Sequence, residues 1–161
     1  MVLIGIIADT IEYDNIKKNI TNKELQLYHI TKSNIQNFQN IVFDTIIIMK
    51  KLDSFLEQVN ILTKMFKQAK YLICNADISI EIALGCTNAN ITLITYGFNS
   101  KASIVVSSVT DEKLLIDIQR EIVLENGKVL ELGEQIMTKI IPLNTYENLV
   151  IFIISLIYPT K

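Results

Sequence analysis

Four short runs of nearly unbroken apolar residues constrain this chain more than anything else in it: "VLIGII" (2–7), "DTIIIMK" (44–50), "YLICN" (71–75) and "NITLITYG" (90–97). A strand that is apolar on both faces belongs inside a parallel sheet covered on both sides. The segments between these runs carry a helical period. Residues 9–22 carry Ile11, Ile16 and Ile20 at roughly helical spacing, with Asp9 or Thr10 as the N-cap. From Leu52 to Ala69 the residues Leu52, Phe55, Leu56, Val59, Leu62, Met65 and Phe66 follow i, i+3, i+4 spacing, the clearest helix in the chain. "SIEIALG" (79–85) reads as a short helix stopped by Gly85. "LQLYHIT" (25–31) supplies a second strand, and "KSNIQNFQNIV" (32–42) a short helix or turn with Ile35 and Phe38 inward. Strands alternating with helices predict a parallel sheet with helices on both faces.

After residue 100 the pattern changes to strict alternation, in "ASIVVSSVTDEKLLIDIQREIVLENGKVLEL" (102–132). Asn126-Gly127 between alternating segments is the strongest short signal for a hairpin. An antiparallel meander over residues 102–140 is therefore expected beside five parallel strands from residues 2–97. "NTYENLVIFIISLIYP" (144–159), with Asn144 or Thr145 as N-cap and Pro159 as a stop, closes the chain as a helix. The expected fold class is α/β: a mostly parallel, Rossmann-like sheet with flanking helices and an antiparallel β-meander extension. The expected organisation is one domain, 1–161, with the parallel part in 1–99 and the meander plus closing helix in 100–161.

Composition narrows the function classes. Half the residues are hydrophobic, 20% are charged, and there are only five glycines and two prolines, which is the balance of a folded globular chain. A formal net charge of −2 and the lack of any clustered Lys and Arg argue against nucleic acid as a partner. The N-terminal stretch has no basic region and runs into acids, so it is read as a first strand and not as a signal peptide. The apolar run near the C-terminus is about eleven residues long, against the roughly 20 that a spanning helix needs. A cytoplasmic protein without a membrane span is expected. Cys74 and Cys86 sit in apolar surroundings and are expected to be unpaired.

Polar residues at strand ends are the candidates for ligand contact, because open α/β sheets build their sites there. Asn75 and Asp77 follow the fourth strand. Their structural reading is as caps of a helix beginning near Ile78. Glu12 and Asp14, just past the first strand, form a pair of carboxylates able in principle to hold a cation or act as acid and base, or simply to make a solvated acidic loop. His29 has no nucleophile arranged with it and reads as a packing residue. Cys74, on a buried strand, is expected to be unreactive. No spacing of Cys and His suits zinc. No catalytic residue, metal or cofactor is assigned.

The order of elements, together with "LICNAD", "LITYGF" and "NTYENLVIFIISL", resembles the central ATP-binding domain of the Mur ligase family. That family carries a strand ending in Asn-Ala-Asp-Asp, a short helix, a strand leading into Tyr-Gly, and a late His-Asn-x-x-Asn before a helix. The resemblance covers nearly the whole chain and leaves no length for the family's UDP-binding and amino-acid-binding domains. It implies a P-loop-type sheet and places Asn148 at an asparagine that contacts adenine, with Thr145 at its companion position. The family's glycine-rich loop ends in Gly-Lys-Thr and holds the ATP phosphates and Mg²⁺. The matching stretch here is "IGIIADTIEYDNIKKNI", with no glycine after Gly5 and with Glu12 and Asp14 in place of a phosphate cradle. Lys17 and Lys18 come too late to replace the loop lysine. The family's Asp-His-Leu-Asp segment survives only as Leu52 and Asp53, with Lys51 at the histidine. Lys64 falls at the family's carbamylated lysine but has lost the metal partners, and reads as a solvated helix lysine.

The resulting expectation is a degenerate, stand-alone copy of that domain without ATPase or ligase activity, acting as a binding or interaction protein. It is expected to self-associate or to bind a protein partner. The alternatives are a small-molecule or nucleotide-binding protein or enzyme that uses Asn75, Asp77, Asn148, Glu12 and Asp14, and one subunit of a larger complex.

Overall fold

Each long apolar run becomes a strand whose alternate side chains enter two different cores. In β1 (Val2–Ile7), Ile4 and Ile6 face one side, while Ile7 and the half-buried Leu3 face the other. β3 (Thr45–Ile48) divides the same way, with Ile47 to the first core and Ile46 and Ile48 to the second. β4 (Tyr71–Asn75) sends Tyr71 and Ile73 one way and Leu72 and Cys74 the other. This two-sided burial is why these runs lack the polar alternation of a half-exposed strand. The computed structural model describes residues 1–78, 80–86, 88 and 90–160.

With β2 (Leu25–His29), β5 (Thr92–Gly97), β6 (Ile104–Val109), β7 (Lys113–Ile118) and β10 (Gly133–Thr138), these strands form one sheet of eight in the order β10-β7-β6-β5-β4-β3-β1-β2. The first core is covered by α1 (Thr10–Asn19) and α4 (Thr145–Ile157), the second by α2 (Val59–Gln68) and α3 (Glu81–Gly85). The fold is therefore α/β and Rossmann-like, as the sequence pattern predicts. The chain winds from β1 out to β2, then returns past β1 to β3 and onward. The reversal falls between β1 and β3, and a crevice at such a point, outside the C-terminal ends of the strands, is where doubly wound sheets bind ligands.

The boundary between parallel and antiparallel pairing lies one strand later than expected. β6 pairs parallel with β5, and antiparallel pairing begins at β6–β7 and continues at β7–β10. The overlap with β5 is limited to Tyr96–Ile104 and Gly97–Val105. The last four residues of β6 therefore run past the end of β5, by about 13 Å at the usual strand rise. The β6–β7 hairpin thus stands as a wall above the C-terminal edge. The Asn126-Gly127 turn is a hairpin, closed by β8 (Ile122–Val123) and β9 (Val129–Leu130), with Gly127 at φ +79°. It forms a separate two-stranded sheet and not part of the main one.

Three helical details depart from the periodicity. Residues Asp53–Gln58 form a 3₁₀ segment before α2. With three residues per turn, Leu52 and Phe55 align and are buried, and Leu56 turns outward at 58% exposure. In α1 the buried residues are Tyr13 and Ile16, and Ile11 is 75% exposed. Five residues of α-helix separate Ile11 from Ile16, a rotation of about 140°. The helix expected from Ser79 starts at Glu81; Ser79 itself lies outside the described residues. Among the described residues no helix is long and apolar enough to cross a membrane.

Candidate functional site

The C-terminal ends of β1 and β3 carry Asp9 and Lys50. Asp9 caps α1, and the Glu12 carboxylate, at the third helical position, accepts the Asp9 N–H at 3.0 Å. Lys50 pairs with Asp9 Oδ1 at 3.0 Å on the surface, a contact worth little in isolation. Burial pushes the Glu12 carboxyl above its ordinary value; the Asp9 N–H opposes this, and the charges of Asp9 and Glu147 add to it. Asp14 is exposed on the next part of α1, and its side chain makes no hydrogen bond or ion pair among the described residues.

α4 delivers its first turn to the same edge. Asn144 is the N-cap: its side chain accepts the Glu147 N–H at 2.9 Å, and Glu147 Oε2 accepts the Asn144 N–H at 2.8 Å. The other Glu147 oxygen accepts from Asn15 Nδ2 at 2.9 Å, so a carboxylate only 3% exposed ties α4 to α1. Asn148 is 0% exposed. Its Oδ1 accepts the Ile140 N–H at 2.7 Å, and its Nδ2 donates to the carbonyls of Ile140, Leu143 and Asn144. The amide thus spends its capacity on the loop between β10 and α4.

At the end of β4, Asn75 is 4% exposed and accepts the Asp77 N–H at 2.9 Å. Neither residue is the N-cap of α3, which is Ile80. Asp77 turns the other way. Its carboxylate accepts from the Phe98 N–H at 2.7 Å, the Asn99 N–H at 2.8 Å and the Tyr146 hydroxyl at 2.9 Å. One carboxylate therefore joins the β4–α3 loop, the loop after β5 and the first turn of α4. Gly97, at φ +143°, runs directly beneath it, where a Cβ would overlap the Asp77 carboxyl group. Below this clamp the Tyr96 hydroxyl is fully buried and has no hydrogen-bond partner among the described residues.

Of the residues singled out from sequence, the fold brings Glu12, Asn75, Asp77 and Asn148 to one edge and leaves Asp14 on the outside. Tyr146, Glu147, Asn15 and Lys50 complete the edge and were not singled out. The capping pattern Asn144-x-x-Glu147 could have revealed Glu147; nothing local marks the other three. His29 packs, stacked on Tyr13 at 4.6 Å between ring centres, with Nε2 2.9 Å from the Ala8 carbonyl. Lys64 reaches only Asn40 Oδ1, at 3.1 Å on the surface. Among the described residues no group of three His, Cys, Asp or Glu side chains is placed to hold a metal ion. Chemically the edge is acidic, with Asp9, Glu12, Asp77 and Glu147; Lys50 is ion-paired to Asp9, and most of the polar groups are bonded to one another.

Cys74, directly before Asn75, is a free thiol whose pKa burial pushes up to about 12. The native state holds the neutral thiol, whereas the unfolded chain releases the proton above the ordinary value near 9. This contribution to stability is complete below pH 9 and is lost as pH rises toward 12, at about 1.4 kcal/mol per pH unit. Urea titrations at pH 8, 9.5 and 10.5 should show the decline, and the variant Cys74→Val should flatten it; an identical slope in both would show that other groups cause it.

No protein-family model matches the chain, and no curated protein matches it.

Proposed function

We propose that the chain is a non-catalytic, Mur-ligase-like binding or interaction module, without ATPase or ligase activity, that works through a second copy or another protein. The observation that carries this reading is the first turn of α1. It starts at Asp9 with no glycine, and the Glu12 carboxylate already takes the Asp9 N–H. The residues present do not fit a triphosphate. At an effective dielectric of about 20, a carboxylate about 5 Å from a phosphate charge opposes it by roughly 3 kcal/mol before screening. Asn148, the residue the resemblance assigns to adenine, has its amide engaged by loop carbonyls and the Ile140 N–H. Calorimetry with Mg-ATP is expected to give no binding heat at micromolar concentrations. A micromolar Kd that weakens when Mg²⁺ is removed would establish a working phosphate site and overturn the reading.

A second reading rests on Tyr96. A buried hydroxyl without a partner among the described residues, beneath the C-terminal edge of β5, suits a small polar ligand better than a sealed core. A thermal-shift screen with nucleotides, UDP-sugars and small amines tests it, because a ligand that binds only the folded state raises the midpoint.

A further inference from the structure

The two ends of the eight-stranded sheet are finished differently. At β2, the bond from the Ile30 N–H to the Ile6 carbonyl turns even-numbered residues toward β1 and odd-numbered ones outward. Half of those outward groups are bonded within the chain. The Leu25 N–H bonds to the Asn22 carbonyl, the Tyr13 hydroxyl donates to the Leu27 carbonyl at 2.9 Å, and Asn34 Nδ2 donates to the His29 carbonyl at 2.9 Å. The Leu25 carbonyl and the Leu27 and His29 N–H groups have no hydrogen bond among the described residues, so this edge is half capped by its own chain.

At β10 no such capping is present among the described residues. The Lys139 N–H bonds to the Glu112 carbonyl, continuing the β7 register, so Gly133, Gln135, Met137 and Lys139 turn their peptide groups inward. Glu134, Ile136 and Thr138 turn theirs outward, and no hydrogen bond reaches those groups among the described residues. The side chains of the same three residues are exposed, Ile136 at 70%, with exposed Leu132 just before them. An open edge without a register shift, carrying an exposed isoleucine, is a template for another strand, and natural sheets protect such edges unless they are used.

We infer that this edge pairs with the same edge of a second copy, antiparallel about a two-fold axis at Ile136. The inference rests on the interaction-module reading above and specifies its surface and partner. The pairing is self-complementary. Ile136 meets Ile136 of the second copy as a hydrogen-bonded pair, and Glu134 meets Thr138 in both directions, so no like charges stand opposite. Lys139 falls opposite Gly133, which has no side chain to obstruct it. All three outward residues of each copy then complete their backbone bonds, and two eight-stranded sheets become one. A two-fold, isologous contact of this kind closes on itself and cannot grow into a filament. The β2 edges at the two far ends, partly capped by Asn22, Tyr13 and Asn34, are poorer templates for a further strand.

The test is sedimentation of the whole chain at tens of micromolar. The wild type is expected at twice the mass of one chain. Ile136→Lys, which sets two ammonium groups face to face, and Ile136→Pro, which removes the outward N–H but no bond to β7, are both expected to sediment as monomers with unchanged circular dichroism. Ile11→Lys, at an equally exposed isoleucine on α1, is expected to stay dimeric. Ile136→Cys should form a disulfide-linked dimer on mild oxidation, since Cys74 and Cys86 are buried. A monomeric wild type, or dimers that survive in both Ile136→Lys and Ile136→Pro, would overturn the inference. Neither result bears on Mg-ATP binding, so this interface and the non-catalytic reading fail separately.

Discussion

Replacing Asn148 with leucine is expected to lower the unfolding free energy by about 3 kcal/mol, the cost of leaving two or three semi-buried backbone groups without partners. Leucine nearly conserves the volume, so little of the loss comes from a cavity. What disappears is the acceptor for the Ile140 N–H and the donors to the Ile140 and Leu143 carbonyls. The Asn144 carbonyl is spared, because it also accepts the backbone N–H of residue 148. Urea unfolding measures the change, and hydrogen exchange at the Ile140 amide localises it. The experiment also separates two roles for the residue. A ligand-contacting asparagine that is idle without its ligand would be replaced at a cost below 1 kcal/mol, and such a result would return Asn148 to the list of ligand contacts.

The second large effect is expected at Gly97. At φ +143° a residue with a Cβ is strained, and the added methyl would overlap the Asp77 carboxyl group, its Cγ within 2.7 Å. Asp77 cannot yield without releasing the Phe98 and Asn99 N–H groups and the Tyr146 hydroxyl. Backbone strain of about 1–3 kcal/mol adds to the lost clamp, and Gly97→Ala should destabilise by roughly 3 kcal/mol. Asp77→Ala alone should cost only about 1–2 kcal/mol, since the clamp is solvent-exposed and water can replace the carboxylate. The double variant should fall short of the sum, because removing the carboxylate also removes the overlap. Strict additivity would mean that Gly97 and Asp77 do not meet as described.

Much of the architecture was legible because burial on both faces writes itself into sequence. Ile46, Ile47 and Ile48 in succession leave no polar face, and only a covered, central strand tolerates that. The two capping patterns, Asp9-x-x-Glu12 and Asn144-x-x-Glu147, are equally local, since a helix start is satisfied by residues three apart. Periodicity was less reliable where the helix type changed. Leu56 fits an α-helical stripe on paper, and the 3₁₀ turn over Asp53–Gln58 moves it to the surface.

The candidate site was legible only in part, because its contacts span the chain. Asp77 meets Tyr146 across 69 positions and Asn15 meets Glu147 across 132. No pattern in either neighbourhood marks such a pair. Asp77 looked like the cap of the next helix, since an aspartate before a helical stretch usually is one, and only the position of the β5 loop shows that its bonds go elsewhere. The direction of β6 is similar. The apolar run in "SIVVSSV" reports that the strand starts in the core and says nothing of which neighbour it joins. The short return after Gly97, held by Thr95 Oγ1 accepting the Ser103 N–H at 2.9 Å, makes it parallel to β5.

By itself, then, the sequence determined that this protein folds as a doubly covered α/β sheet, where its strands and most of its helices lie, and that the turn after its first strand carries Asp9, Glu12 and Asp14 and no glycine. These are properties of local spacing and charge, which survive in any tertiary context. Only the tertiary structure decided that Asn148 is spent on a loop, that Asp77 closes the strand-end edge, and that one end of the sheet is partly capped while the other is open. Those outcomes depend on which backbone groups remain without partners after the chain has packed, and that remainder exists only in the assembled fold.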